Sequence, residues 1–218
     1  MQIPVVQKVL AANDLIAEEL RAQFDRAGVP AVNLMGSPGA GKTSLVEQTL
    51  ERVAGRVKIG VIEGDVATSL DADRIARFGV PTVQINTGGA CHLDAAMIRK
   101  ALSNLDISGL DLLLIENVGN LVCPAQFDLG EAAKVVVCSL PEGDDKVLKY
   151  PAIFSLVSAV VLNKLDLIEH LEFNLLDFER HLGELNPNAA LMELSCVTGE
   201  GLDRWVEWLE RRASKTKG

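Results

Sequence analysis

The sequence predicts an α/β fold, a single domain in which a mostly parallel, doubly wound sheet is flanked by helices. Three observations carry that prediction. Apolar runs of buried-strand length alternate with segments of helical periodicity along almost the whole chain, the pattern of a parallel sheet with helices on its faces. The chain has only nine aromatic residues, so its core must be largely aliphatic, which suits strands covered on both sides. Finally, 218 residues that are 48% hydrophobic and 23% charged are enough for one such domain, or at most two small ones.

Each element follows from its pattern. Val5, Val6, Val9, Leu10, Ile16, Leu20 and Phe24 fall on one face of a helix over residues 5–27, ended by Gly28-Val29-Pro30. Residues 1–29 are therefore expected to form an amphipathic helix packed on the domain, which occupies 30–213. A strand over Ala31–Met35 precedes a Gly-rich turn and a helix from Thr43 to about Val53. Then come a strand over Val57–Ile62, a helix over Thr68–Arg77, a strand over Thr82–Ile85 and a helix over about Leu93–Leu102. Leu110–Ile115, Val135–Leu140 and Leu156–Leu162 read as buried strands. A helix near Glu172–Leu182, a strand over Ala190–Leu194 and a closing helix from Leu202 to about Arg212 complete the domain. Residues 214–218 are expected to be a frayed tail.

Composition excludes several functions. Apolar content is too high for a disordered chain. With 21 Lys and Arg against 30 Asp and Glu, a net charge of −9, neither nucleic acid nor an anionic membrane is an expected partner. The start of the chain lacks the basic, then apolar, then small-residue order of a signal peptide. The longest mostly apolar stretch, Ala152–Leu162, is about half the roughly 20 residues a spanning helix needs. The expectation is a cytoplasmic protein whose four cysteines, none in a C-x-x-C pair, are reduced.

Gly36-Ser37-Pro38-Gly39-Ala40-Gly41-Lys42-Thr43 is a full G-x-x-x-x-G-K-T between a strand and a helix. Its glycines let backbone N–H groups turn inward around phosphate, and the helix N-terminus adds positive potential. Gly36, Ser37, Gly39, Ala40, Gly41 and Ser44 are the expected phosphate contacts, with Lys42 reaching the β/γ-phosphates and Thr43 binding Mg2+. This makes the domain a P-loop nucleotide-binding fold. Glu116-Asn117-Val118-Gly119 ends the strand Leu112–Ile115; Glu116 is placed to hold Mg2+ and Gly119 to offer its N–H to the γ-phosphate. Asp65 could supply a second carboxylate on the Mg2+ side, with Asp71 and Asp73 as competitors. Asn163-Lys164-Leu165-Asp166 closes another strand. Asp166 there can accept two hydrogen bonds from guanine, a donor pair adenine lacks, so GTP and GDP are preferred over ATP. Ser195-Cys196 resembles the base-side loop of GTPases and could present a backbone N–H to guanine.

Cys91, His92 and Cys123 form a second constellation. One imidazole and two thiols are ligands suited to zinc or nickel, and they lie in Gly- or Pro-bearing loops, whereas Cys138 and Cys196 fit structural thiols. Cys91 and His92 are adjacent, so their side chains diverge on a helix or strand. Either a special turn brings them to one ion, or they serve two. Three ligands are also one short of a closed tetrahedral site, a shortage that pooling across a two-fold interface would remove.

These motifs together resemble the hydrogenase nickel-incorporation GTPases, the HypB family within the SIMIBI class. The pieces carrying the resemblance are Gly36–Thr43, Glu63-Gly64-Asp65, Gly88–Asp94, Glu116–Pro124, Asp145–Pro151 and Asn163–Asp166. The resemblance implies GTP hydrolysis, a homodimer around bound nucleotide, and nickel or zinc at the dimer interface on Cys91, His92 and Cys123. It also implies two partners, the nickel chaperone HypA and the hydrogenase large-subunit precursor. The chain departs from some members in having no C-x-x-C-G-C segment at its start and only three histidines, so a separate nickel store is not expected. No glutamine or arginine stands out to position the attacking water, so hydrolysis is expected to be slow. Rival readings are a urease-type nickel GTPase, which places Cys-Pro-His together where this chain has Cys123-Pro124-Ala125; a small-molecule kinase; and a metal-sensing dimer with structural nucleotide.

Overall fold

The strands build outward from the phosphate-loop strand. In a computed structural model that describes residues 5–65 and 74–215, β1 (Ala31–Met35) lies between β4 (Leu112–Glu116) and β5 (Ala133–Ser139). The full order is β3-β2-β4-β1-β5-β6-β7, with β2 at Ile59–Asp65, β3 at Thr82–Asn86, β6 at Ala159–Asn163 and β7 at Ala190–Glu193. Every pairing is parallel. All seven C-terminal ends therefore lie on one edge, where ligands of open α/β sheets bind.

Side chains alternate between the two faces along each strand. Val32, Leu34, Leu112, Leu114, Val135, Val137 and Val161 point to one face, where they meet Leu45 and Val46 of α2 (Lys42–Val53) and Trp205 and Leu209 of α7 (Leu202–Lys215). The indole of Trp205 donates to the Thr49 hydroxyl at 2.8 Å, so the buried N–H that joins these two helices is satisfied. On the other face two separate cores form. Leu113 and Ile115 pack with Leu20 and Phe24 of α1 (Val5–Ala27) and Ile98 of α3 (Ala95–Leu102). Val136, Cys138, Val160 and Leu162 pack with Ile153 and Phe154 of α5 (Pro151–Phe154) and Phe178 of α6 (Leu175–Leu185). Just before α5 lies another single-turn helix, α4 (Lys146–Lys149).

A buried polar seam crosses this second face. Asn33, in mid β1, donates to the Glu131 carboxylate at 3.1 Å and accepts from Asn117 at 3.2 Å. Burial raises the pKa of Glu131, with Lys134 opposing the shift. The Glu131 carboxylate also accepts the Leu129 N–H at 2.6 Å. Low dielectric strengthens such a network only while every member is satisfied.

The expected strands, and the expected helices that can be compared, occur in the expected order with shifted ends, whereas the single-turn helices α4 and α5 were not expected. β2 spans Ile59–Asp65 and β4 spans Leu112–Glu116, so Asp65 and Glu116 are the last residues of their strands. The helix expected from Leu93 starts at Ala95, capped by the Asp94 carboxylate, which accepts from Met97 N–H at 2.8 Å. That expected near Glu172–Leu182 runs over Leu175–Leu185. The closing helix continues to Lys215, so residues 214 and 215 are helical, which corrects the expected tail of 214–218; residues 216–218 lie outside the described residues. The helix expected over Thr68–Arg77 is described only at residues 74–76, which are helical. Asp71 and Asp73 fall outside the described residues. No helix among the described residues is long and apolar enough to cross a membrane.

Candidate functional site

At the C-terminal edge of the sheet a cleft of about 660 Å³ opens over the phosphate loop, within the range of roughly 300–1,000 Å³ usual for small-molecule sites. Its floor is the loop itself. Gly41 has φ 100°, and a Cβ there would lie 2.2 Å from Asn163 Nδ2, so only glycine lets the chain turn at that point. Lys42 reaches back across the loop, donating to the Gly36 and Ser37 carbonyls at 3.3 Å each. Gly39, Gly41, Lys42, Thr43 and Ser44 line the cleft, whereas Gly36, Ser37 and Ala40 do not. Gly36 packs against the Val137 carbonyl, with no room for a Cβ, and Ala40 is fully buried. Ser37 hydrogen-bonds Glu142. Burial pushes that carboxyl's pKa up, but the Ser37 and Lys146 bonds outweigh it and hold the pKa low.

Three carboxylates face the loop. Glu116 accepts from the Thr43 hydroxyl at 2.8 Å. Glu63 is the parallel-register neighbour of Glu116, is 2% exposed, and lines the same cleft, as does Asp65. This is an all-oxygen donor set, the kind that suits Mg2+ rather than a softer metal. Glu63 was not singled out in the sequence; the signal available was its even spacing from Asp65, which puts both on one face of a strand. Arg74 also lines the cleft and is engaged by Glu47.

The base side is organised by Asn163 and Ser195. Asn163 donates to the Ala40 carbonyl at 3.0 Å, and its Oδ1 accepts from the N–H groups of Lys164 at 2.7 Å and Cys196 at 3.1 Å. Lys164 has φ 65°, the one positive value among the described non-glycine residues, and its ammonium donates to the Gly39 carbonyl at 2.8 Å. Such a φ is costly outside glycine and concentrates at functional turns. Ser195 donates to Asp166 and accepts from the Val197 and Thr198 N–H groups. Asp166 and Cys196 line the cleft; Ser195 is fully buried and positions them. The Cys196 N–H is bonded to Asn163, and burial pushes the Cys196 thiol up to about 12, which marks a structural thiol rather than a ligand.

Cys91, His92 and Cys123 lie beside the cleft, and their ligand atoms come within 4.8 Å of one another. The Cys91 thiol donates to the Cys123 sulfur at 2.9 Å and lies 3.8 Å from His92 Nδ1. The special turn therefore exists. It follows Thr87, whose hydroxyl donates to the Ala90 carbonyl at 2.7 Å, and it leads into the Asp94 cap of α3. The His92 ring stacks on Phe127 at 3.9 Å. Burial lowers the imidazole's pKa below its ordinary value, opposed in part by Asp94, which favours the neutral form that can ligate. The hydrogen bond from Cys91, followed by burial, raises the Cys123 thiol. Cys138, fully buried, is raised far more by burial, as a structural thiol should be.

The cleft and the trio are joined by residues 117–120. A Cβ on Gly119 would lie 2.9 Å from the Pro38 ring, and Asn120 forms an antiparallel bridge with Gly36. Asn117, Asn120 and Phe127 were missed in the sequence because their value lies in what they touch, not in a spacing.

Comparisons with known proteins show which family the chain resembles. Residues 30–193 match the family model described as the CobW/HypB/UreG nucleotide-binding domain. The chain is 48% identical over 208 residues to hydrogenase maturation factor HypB of Azotobacter vinelandii, covering 95% of this chain and 69% of that one. It is 42% identical over 217 residues to the hydrogenase/urease maturation factor HypB of Helicobacter hepaticus, covering 98% of this chain and 89% of the relative. The crystal structure of HypB from Helicobacter pylori in complex with nickel superposes with a TM-score of 0.89 at 38% identity, over 94% of this chain and 96% of that one.

Proposed function

Since this chain belongs to the CobW/HypB/UreG family and resembles its HypB hydrogenase maturation factors along nearly its full length, we propose that it is a GTP-hydrolysing metallochaperone. It binds nickel or zinc on Cys91, His92 and Cys123 at a homodimer interface and assists nickel insertion during [NiFe]-hydrogenase maturation in the cytoplasm. Its partners are the nickel chaperone HypA and the hydrogenase large-subunit precursor. The observation that carries this reading is the convergence of an imidazole and two thiols within 4.8 Å, on turns tied to the phosphate loop.

Each residue's task follows from its contacts. Lys42 exchanges two neutral carbonyl partners for anionic phosphate oxygens, so that both donor and acceptor are ionised. Thr43, Glu116 and Asp65 would hold Mg2+, which neutralises charge on the β- and γ-phosphates. Gly119 offers its N–H toward the γ-phosphate. Asp166, already oriented by Ser195, accepts the guanine donors, and Asn163 fixes the loop beneath. Arg74 lines the cleft with its guanidinium engaged by Glu47, and intrinsic turnover is expected to be slow. GTP orders residues 117–120, tightens the dimer and changes metal affinity at Cys123; hydrolysis reverses this and lets nickel pass on.

Differential binding of this kind must be reciprocal. The test is nickel titration and light scattering in the apo, GDP and GTP-analogue states. Different nickel affinities in the two nucleotide states support the reading. Equal affinities with an unchanged dimer constant would overturn it. A second reading, that nickel also reaches a urease, is favoured by the Helicobacter hepaticus relative named a hydrogenase/urease maturation factor. Transfer of labelled nickel to the two apo-enzymes in parallel would separate the two.

A further inference from the structure

His92 is held from both sides by two asparagines of the phosphate-sensing segment. On one side, the Cys91 carbonyl accepts from Asn120 Nδ2 at 3.2 Å. On the other, the Leu93 N–H donates to Asn117 Oδ1 at 3.1 Å. The same Asn120 side chain also shapes the turn that carries the second thiol. Its Oδ1 accepts the Val122 N–H at 2.8 Å, immediately before Cys123. The backbone of Asn120, meanwhile, is bridged to Gly36, the first residue of the phosphate loop. Asn117 follows Glu116, which is bonded to Thr43, and Asn117 is anchored beneath by Asn33 at 3.2 Å.

We infer that Asn117 and Asn120 are the positioning residues through which the nucleotide cleft sets the spacing of Cys91, His92 and Cys123. This inference rests on the coupling proposed above and says where in the chain it is carried. The arrangement explains why an adjacent Cys-His pair can converge: neither peptide flanking His92 is free to rotate, since its oxygen on one side and its N–H on the other are both taken. A shift of residues 117–120 about Pro38 therefore reaches both thiol-bearing turns at once. No ligand atom of the trio has to touch the nucleotide.

The decisive variant is Asn120→Ala, because Asn120 is only half-buried. Asn117 is 1% exposed and shares the Asn33–Glu131 seam, so its truncation also weakens the fold. The probe is cobalt(II), titrated by its thiolate charge-transfer absorbance into the full chain with GDP or with a non-hydrolysable GTP analogue. Amide exchange at Val122 and Leu93 is followed in parallel. Wild type should bind cobalt with different affinities in the two nucleotide states. Asn120→Ala should weaken cobalt binding roughly tenfold, the scale on which partners of metal ligands act, and abolish the difference between nucleotides. Its Val122 amide should exchange faster while GDP affinity stays at the wild-type value. Asn120→Asp keeps the acceptor for Val122 but loses the donor to Cys91, so it should restore Val122 protection without restoring the nucleotide dependence. If Asn120→Ala retains both the affinity and its dependence on nucleotide, the inference is overturned and the coupling stands without it. If wild type binds cobalt equally in both states, the coupling itself fails and the inference falls with it. If wild type binds no cobalt at all, the metal reading fails first.

Discussion

The nucleotide cleft and the thiol-imidazole turn lie side by side yet are built on different principles. The cleft is made by strand ends. Asp65 and Glu116 end β2 and β4, its loop leaves β1, and Asn163 ends β6. The positions of these groups are therefore fixed by the sheet's register. The trio stands on two turns outside the sheet and is held by neighbouring side chains: Asn117, Asn120, the Asp94 cap and the Phe127 ring. A site set by register keeps its shape when one side chain is lost. A site set by neighbours is adjustable, which is the property a carrier of metal needs if it must release as well as bind.

That contrast can be broken at several points. The largest effect is expected for Lys42→Ala, which should cut GTP hydrolysis at least about a hundredfold while metal binding survives. Phosphate release and nickel titration on one preparation measure both, and loss of both together would show that the regions are not separable. Asp166→Ala should next remove most of the preference for GTP over ATP, about a hundredfold or more, read as competition between the two nucleotides; a preference retained would place guanine recognition elsewhere. Cys123→Ala removes a ligand itself, so it should lower nickel affinity by more than the roughly 10–100-fold that losing an outer partner costs, with GDP affinity measured without metal unchanged.

Two smaller effects sharpen the comparison from beneath. Glu131→Leu leaves the Asn33 amide and the Leu129 N–H without their acceptor. It should destabilise the fold by about 1–3 kcal/mol, seen in urea unfolding, and should loosen the trio more than the cleft because the seam ends at Asn117. Asp128→Asn acts at the margin. Burial pushes this carboxyl's pKa up, but Arg21 and the Gly130 N–H outweigh it and hold the pKa below the ordinary value. Its contribution is therefore present above the unfolded pKa and is lost as pH falls through the lowered one. Wild type should lose more stability than the variant over that acid window, and equal losses would remove Asp128 from the account.

Legibility in the sequence divides along the same line. Gly36–Thr43, Glu116 and Asn163–Asp166 could be picked out directly because the proposed phosphate, Mg2+ and guanine contacts demand fixed residue types at strand ends, and apolar runs mark where strands end. Even there β2 was placed short, since Glu63-Gly64-Asp65 is polar yet still pairs in the sheet. Cys91, His92 and Cys123 could be named as ligands but not brought together, because adjacency alone argues for divergence. What reconciles them is Asn117 and Asn120, whose amides carry no periodic or spacing signal. Ser195 shows what spacing leaves out: the residue lies in the expected loop, but it is buried with its hydroxyl bonded to Asp166.

Gly64 gives the arrangement its dimension. It sits between Glu63 and Asp65, and a Cβ on it would lie 2.7–2.9 Å from the Leu93 side chain. Leu93 follows His92 and is fully buried. The absent methyl group thus acts as a ruler: it lets the turn seat itself flush against the carboxylate-bearing strand. Any larger residue would force the Leu93 side chain to shift. The separation between the cleft and the thiol-imidazole turn is in this way set by an atom the chain does not have.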